Sequence, residues 1–213
     1  MGLEIERKYL HIDLQSLRQK LVDCGAHCLG AHFESNWVYD TAEGGLVGGG
    51  QLLRLRTQQW RDKTRHLLTL KLPATHNGGF KMREERETEV ADGAVMHSIL
   101  EGLGYRVAAR YEKIREPWHM DTVEVELDIL PFAEVVELEG RAQDIESVER
   151  RLNLDNAEIS TKSYHELHQE WLRQNHKPAQ LSFVFGEAQS ERWRRELGLT
   201  DRPAANPAST RQS

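Results

Sequence analysis

Five consecutive residues near the start of the chain, Glu4-Ile5-Glu6-Arg7-Lys8, include side chains that could bind a metal ion and an anion together. In an extended strand, side chains alternate between two faces, so Glu4, Glu6 and Lys8 would share one face. Burying an unpaired charge is very costly. This face therefore meets either bulk water or a polar interior that holds a metal and an anion, and one strand alone leaves both readings open.

Other predicted strands also carry their charges on a single alternating face, and these charges fall into two chemical kinds. The basic set consists of Lys8, Arg54, Arg56, Lys71, Arg83, Lys113 and Arg115. The acidic set consists of Glu4, Glu6, Glu85, Glu87, Asp128, Glu137 and Glu139. Surface strands usually favour Thr, Ser, Gln and Lys over doubled carboxylates beside doubled arginines. The composition of these faces therefore favours a binding or catalytic role over simple exposure to solvent.

The two sets suit a metal complex of a polyphosphate. Arginine presents a fork that matches phosphate oxygens, and lysine adds a point charge. Clustered carboxylates suit a hard divalent cation such as Mg²⁺ or Mn²⁺. A sheet closed with these faces inward would form a charged tunnel without free edges. In an ordinary antiparallel sandwich the same faces would simply be solvated.

The hydrophobic pattern predicts about eight strands, mostly joined by turns, with three or four helices between some of them. Strands are predicted near the N-terminus and at residues 33–41, 52–56, 66–71, 81–90, 111–118, 122–130 and 134–139. Helices are predicted at residues 14–24, 94–103, 145–152 and 163–174. Gly25 and Gly104 follow two of these helices, where glycine commonly ends a helix.

Length and composition limit the classes of protein that fit. The 213 residues suit one domain with an appendage, and the net charge of −6 argues against a general nucleic-acid binder. Cys24 and Cys28 are too few for a disulfide framework and are expected to be reduced thiols. Glu4 and Glu6 stand where a signal peptide would be apolar, and no segment is long enough to cross a bilayer. We expect a cytoplasmic protein without a membrane or nucleic-acid partner.

The motifs, taken in order, resemble those of the CYTH superfamily, the triphosphate tunnel metalloenzymes. Glu4-x-Glu6-x-Lys8 resembles the ExExK signature of that family. The later matches are Tyr39-Asp40-Thr41, Leu53-Arg54-Leu55-Arg56, Leu68-Thr69-Leu70-Lys71, Arg83-Glu84-Glu85-Arg86-Glu87, Glu112-Lys113-Ile114-Arg115, Asp128 with Glu137-Leu138-Glu139, and Lys162-Ser163-Tyr164-His165-Glu166-Leu167. Each motif is weak alone, but eight in sequence form a specific pattern that covers residues 1–172.

The resemblance implies an α+β fold, a closed eight-stranded antiparallel β-barrel with flanking helices that binds a triphosphate in its tunnel. It implies that Mg²⁺ or Mn²⁺ is held by Glu4, Glu6, Glu137 and Glu139. Glu85, Glu87 and Asp128 would be further ligands or would orient the attacking water, and these three with Glu4 and Glu6 form the implied catalytic set. The implied phosphate-binding residues are Lys8, Arg54, Arg56, Lys71, Arg83, Lys113, Arg115 and Lys162. The tunnel domain would span residues 1–172, followed by an extension at 173–213 with a short helix and a disordered tail.

Three functions fit these residues. The first is metal-dependent hydrolysis of tripolyphosphate or of an organic triphosphate, either a nucleoside or a thiamine ester. The second is class IV adenylyl cyclase activity, which converts ATP to cyclic AMP and pyrophosphate. The third is a non-catalytic tunnel that only binds polyphosphate or nucleotides. The small-molecule substrate, the choice between hydrolase and cyclase, and the oligomeric state stay open at this point.

Overall fold

The computed structural model describes residues 2–199 and contains one barrel with helices on its outside. The strands in this range are β1 (Gly2–Leu10), β2 (His27–Cys28), β3 (His32–Asp40), β4 (Leu52–Gln59), β5 (Thr64–Lys71), β6 (Thr75–Asn77), β7 (Phe80–Val90), β8 (Arg106–Met120), β9 (Val123–Ile129), β10 (Glu134–Glu139) and β11 (Glu158–Ser160). The helices are α1 (Leu14–Asp23), α2 (Gly45–Gly48), α3 (Gly93–Gly102), α4 (Ala142–Arg151), α5 (Tyr164–Gln174) and α6 (Glu187–Glu196). No helix among residues 2–199 has the length and apolar character needed to span a membrane.

Eight of the strands close into a ring in the order β1–β10–β9–β8–β3–β4–β5–β7. The ring is completed by β1 and β7, where Gly2 to Glu6 pair antiparallel with Glu85 to Lys81. Every pairing within the ring is antiparallel. The predicted fold, a closed eight-stranded antiparallel barrel with flanking helices, is confirmed.

The apolar core lies outside the barrel wall, between the strands and the helices. On β9, Val125 and Leu127 are almost completely buried and face α1 and α4, which contribute Leu17, Leu21 and Ile145 to the same cluster. Each of these side chains stabilises the fold by about 1.5–3 kcal/mol through burial. Because strand side chains alternate, the charged residues between them point to the interior. The barrel thus has an apolar outside under its helices and a polar inside.

Local sequence signals set most helix ends where they were expected. Asp13 caps α1 by accepting a hydrogen bond from the Gln15 N–H, and Gly25 follows the helix with a φ of 75°. Asp92 caps α3 in the same way, and Gly104 follows it with a φ of 91°. The short strands β2, β6 and β11 were not predicted, because two or three residues are too few to show a periodicity.

Part of the chain after α5 forms backbone hydrogen bonds with the sheet. On one side of β8, pairing with β9 begins only at Ile114, which leaves the earlier backbone of β8 without a neighbouring strand there. Phe183 occupies that edge: its N–H donates to the Arg110 carbonyl at 3.0 Å, and its carbonyl accepts from the Glu112 N–H at 3.0 Å. The short helix predicted in the extension is present as α6, whereas the tail predicted to be disordered lies outside the described residues from 200 onward.

Candidate functional site

The barrel encloses a cavity of about 710 Å³, which we call the lumen. Each of the eight ring strands contributes at least one side chain to its lining. The predicted site residues that line it are Glu4, Glu6, Lys8, Arg54, Arg56, Lys71, Arg83, Glu85, Glu87, Lys113, Arg115, Glu137 and Glu139. The alternation within each strand and the closure of the sheet together produce this convergence. The structure therefore brings both charged sets into one enclosed space.

Two predicted residues lie elsewhere. Asp128 is completely buried and sits in the wall, where it is held by cations that do reach the lumen. Lys162 precedes α5 and pairs with Glu170 on the protein surface, with its side chain 47% exposed. Their predicted roles as a ligand or water-orienting group and as a phosphate contact stay predictions.

The lumen cations differ in the partners that hold them. Lys71 Nζ lies 2.8 Å from Glu4 and 2.8 Å from Glu85. Arg54 instead donates to the Tyr111 hydroxyl at 2.9 Å, and its nearest carboxylates, on Glu85 and Glu87, lie at 3.9 and 3.8 Å. Arg54 is thus buried with a hydroxyl as its closest partner and with its nearest carboxylates almost 4 Å away, which leaves more of its charge available to an anion.

Arg115 is the centre of a buried ionic network. Its guanidinium contacts Asp128 through Nε at 2.8 Å, Glu137 at 3.0 Å, and Glu126. Asp128 also accepts from Lys113 Nζ at 2.9 Å. Burial alone would raise the pKa of Asp128, but Arg115 and Lys113 hold it below its usual value. Asp128 is therefore ionised and positions two cations whose outer atoms face the lumen.

Lys8 connects the opening motif to this network. Its ammonium lies 2.8 Å from Glu137 and 3.4 Å from Glu6. Burial opposes its charge, yet the two carboxylates hold the pKa of Lys8 above its usual value. The residue is charged and fixed, as a phosphate-binding lysine in a dry site would need to be.

Carboxylates also crowd together on β9 and β10, next to Arg115. Oxygen atoms of Glu124, Glu126 and Glu139, which we call the acidic cluster, lie within 4.8 Å of one another. Burial and the nearby charge of Glu4 raise the pKa of Glu139 to about 7. Burial also raises the pKa of Glu126, although Arg115 contacts it. Arg115 contacts one of these three carboxylates, Glu126, but the oxygen donors still repel one another, and the group fits a hard divalent ion.

Residues 2–164 match the CYTH domain. The chain belongs to the CYTH family. This match covers all eight strands of the ring and ends at the first residue of α5. Proteins of this family are in general metal-dependent, in agreement with the acidic cluster of this lumen.

Solved structures share the fold at low sequence identity. A putative adenylate cyclase of Vibrio parahaemolyticus aligns with a TM-score of 0.68 and 21% identity, covering 78% of this chain and 98% of that one. The PH1012 protein of Pyrococcus horikoshii aligns with a TM-score of 0.65 and 22% identity, over 77% and 98% of the two chains. The putative adenylyl cyclase HpAC1 of Hippeastrum, described as having a dominant triphosphatase activity, aligns at 0.59 and 20% identity, over 85% and 99%. No curated protein sequence matches significantly.

The CYTH lumen also contains functional candidates that the sequence-based selection omitted. Glu124 and Glu126 alternate with Asp128 on β9, so the pattern that selected Asp128 could have selected all three. Glu34 is completely buried on β3, 3.5 Å from both Arg56 and Lys113, which hold its pKa well below its usual value despite its burial. It positions two predicted phosphate-binding cations. Its signal was weaker, because its neighbours on the same face of β3, His32 and Asn36, are not carboxylates.

The start of α5 covers one end of the CYTH lumen. Ser163 caps this helix, and its hydroxyl accepts from the Glu166 N–H. The cap brings Tyr164 inward, where its hydroxyl donates to Asp128 and its ring lies 5.1 Å from Lys8 Nζ. A tyrosine in a closing SYxxL helix was noted in the sequence, but its contact with the ionic network depends on how the helix docks.

From the burial of His165, also at this end of the lumen, we predict that the stability of the protein depends on pH. Burial lowers the pKa of His165 to about 4, and nearby His168 contributes. Because the unfolded chain binds this proton first, stability is lost as the pH falls from about 6.5 toward 4. His165→Phe is expected to reduce the loss in free energy of unfolding between pH 7.5 and pH 5 by about 2 kcal/mol. Urea unfolding at both pH values measures this, and equal losses in the two proteins would contradict it.

Proposed function

We propose that this CYTH protein hydrolyses a triphosphate within the lumen, using Mg²⁺ or Mn²⁺. The observation that supports this most is that one cavity is lined both by buried cations and by the acidic cluster. Phosphate oxygens need the first and a divalent cation needs the second. The reaction would be attack of water on the terminal phosphorus with an in-line leaving group.

Glu124, Glu126 and Glu139 would hold the metal, with Glu4 and Glu6 next to them. Glu137, the other ligand that the resemblance implied, is held by Lys8 and Arg115 at 2.8 and 3.0 Å. Glu139 lies opposite Glu6 and Glu124 in the strand pairing, and Glu4 raises its pKa. When bound, a divalent cation supplies charge neutralisation at phosphate oxygens and Lewis-acid activation of water. The all-oxygen donor set matches the hard ions named above better than zinc or copper.

The side chains of the chain itself would bind and orient the phosphates. Arg54 offers a guanidinium whose closest partner is a hydroxyl, so phosphate oxygens compete with carboxylates that are no nearer than 3.8 Å. Lys71 shares its charge between Glu4 and Glu85, and recruitment of Glu4 to the metal would free part of that charge for the substrate. Glu85 and Glu87, both within 4 Å of Arg54, would accept a hydrogen bond from the attacking water.

Adenylyl cyclase activity is the second candidate, because the same arrangement serves attack by a ribose 3′-hydroxyl on the α-phosphorus. The Vibrio protein of the same fold is described as a putative adenylate cyclase, and the Hippeastrum protein as a putative adenylyl cyclase with a dominant triphosphatase activity. We place hydrolysis first. A purely binding tunnel fits less well, since packed carboxylates would repel a polyphosphate unless a metal were present.

The triphosphate substrate would be the only partner of this protein, which we expect to act in the cytoplasm. The net charge of −6 gives little attraction for nucleic acid or for an anionic membrane surface.

Incubation with tripolyphosphate, ATP and thiamine triphosphate, with Mg²⁺ or Mn²⁺ and identification of all products, tests this function. We expect release of orthophosphate, loss of activity with chelator, and a fall of about 10²-fold or more in Glu139→Gln. Glu146→Gln, which makes the same change on the exposed face of α4, is the matched control. Undiminished activity in Glu139→Gln, or with chelator, would contradict the proposal, and cyclic AMP with pyrophosphate from ATP would favour the cyclase.

A further inference from the structure

A short row of side chains crosses three strands at the rim of the lumen. Glu124 of β9, which lines the lumen, lies directly opposite His119 of β8. His119 in turn lies directly opposite His27 of β2. Directly opposite residues of an antiparallel pair have their side chains on the same face of the sheet, so both imidazoles face the lumen side. We call His27, His119 and Glu124 the rim row.

The rim row has the spacing that a metal site needs. His119 Nε2 lies 3.7 Å from a carboxylate oxygen of Glu124. Two donors that each lie about 2.1 Å from one tetrahedral ion are about 3.4 Å apart, so this pair is close to binding geometry. Cβ atoms of directly opposite residues are about 4.5–5.5 Å apart, which puts the His27 imidazole within reach of the same ion. All three residues are exposed, so their side chains have room to turn toward it.

Carboxylates next to the rim row make its surroundings negative. Glu124 also belongs to the acidic cluster, whose oxygen atoms lie within 4.8 Å of one another. Glu139 of that cluster lies directly opposite Glu124. Arg115 contacts Glu126, two residues farther along β9 from the histidines. A divalent cation at the rim row would therefore be attracted by carboxylates beyond its own ligands.

A simple surface ion pair would account for only two members of the rim row. His11 and Glu158 form such a pair at 3.6 Å, and exposed pairs of this kind contribute about 0–1 kcal/mol to stability. The rim row adds His27 to the same arrangement. Two imidazoles and one carboxylate form a donor set that suits Zn²⁺ or Ni²⁺, whereas the carboxylates of the acidic cluster suit Mg²⁺ or Mn²⁺.

We propose that the rim row is a second cation site, which binds Zn²⁺ or a chemically similar ion through His27, His119 and Glu124. Its imidazole ligands distinguish it from the all-carboxylate site of the proposed function, with which it shares Glu124. Zn²⁺ at the rim row would withdraw Glu124 from the acidic cluster, so we expect Zn²⁺ to inhibit the Mg²⁺-dependent activity. This inhibition rests on the proposed function, whereas the binding of Zn²⁺ does not.

Calorimetric titration of the metal-free, reduced protein with Zn²⁺ tests the site itself. Loss of even an outer partner of a metal ligand weakens binding by about 10–100-fold, so we expect His27→Ala and His119→Ala each to weaken Zn²⁺ binding by at least about tenfold. The affinity for Mg²⁺ should stay within about twofold of wild type in both variants, because imidazole is a poor ligand for this ion.

Two control variants make the binding result specific. His11→Ala removes an exposed histidine from a similar His–Glu pair and should leave Zn²⁺ binding unchanged. Cys28→Ser removes the exposed thiol next to His27 and should also leave it unchanged. Absence of Zn²⁺ binding in wild type, equal affinity in wild type and both rim variants, or loss of binding in Cys28→Ser would overturn the proposal.

Inhibition by Zn²⁺ tests the consequence for activity. With a triphosphate that the protein hydrolyses in Mg²⁺, His119→Ala should need at least about tenfold more Zn²⁺ than wild type for half inhibition, while its rate without Zn²⁺ stays within about twofold. Equal inhibition of both proteins would overturn the shared role of Glu124. Absence of any triphosphate turnover would contradict the proposed function, and the calorimetric comparison would still decide whether the rim row binds Zn²⁺.

Discussion

Replacing Arg115 with methionine is expected to destabilise the protein by about 3–5 kcal/mol, the largest stability effect that we expect from a single lumen residue. The guanidinium is 8% exposed and contacts Asp128, Glu126 and Glu137. Methionine would fill much of the same space but leave three carboxylates without their shared cation. Urea unfolding at pH 7.5 in the presence of chelator measures the difference, because a bound metal would partly replace the lost charge.

A matched control on the same strand separates this effect from the loss of any arginine. Arg110 is exposed on the outer face of β8, with its guanidinium 4.9 Å from the Trp37 ring. Arg110→Met is expected to cost only about 0.5–1 kcal/mol. Adding Asp128→Asn to Arg115→Met should recover part of the loss, since fewer carboxylates then share the remaining cations, Lys113 and Lys8. Equal destabilisation by Arg115→Met and Arg110→Met would contradict a central role for this network.

The architecture was predictable because a side chain on a strand can point to only one of the two faces of the sheet. Once Glu4, Glu6 and Lys8 are assigned to one face, closure of the sheet decides whether that face is inside, and the order of motifs indicated closure. The same rule placed Lys71 and Arg115 in the lumen correctly. A residue on a strand has its direction fixed by its neighbours in sequence, so one-dimensional information is sufficient there.

The missed features depend on tertiary contacts. The inward direction of Tyr164 depends on how α5 docks. Arg83 has the predicted direction, but its guanidinium donates to the carbonyls of Leu72 and Gly50. Strand position alone cannot show that a neighbouring backbone competes for a side chain. The sequence therefore indicates on which face of the barrel a side chain lies, and the structure shows which groups that side chain contacts.

Arg54→Met is expected to lower kcat/KM for the preferred triphosphate by about 10²–10³-fold. Arg54 is buried in the lumen with Tyr111 and Thr69 as its hydrogen-bond partners, at 2.9 and 3.5 Å. Its charge is consequently less neutralised by the protein than that of Lys71 or Arg115, and more of it acts on the substrate. The initial rate of phosphate release at saturating Mg²⁺, with unfolding measured in parallel, distinguishes this loss from a loss of fold.

Two other arginine variants, both on β7, make that result specific. Arg86 on β7 points outward and pairs with Glu84 on the surface, so Arg86→Met should change kcat/KM by less than about twofold. Arg83, two strand positions from Glu85, is held by backbone carbonyls, and Arg83→Met should cause a clearly smaller loss than Arg54→Met. If Arg83→Met lowered kcat/KM as much as Arg54→Met, the degree to which the protein neutralises each cation would not explain which cations bind the phosphates. Position in the lumen alone would then explain it.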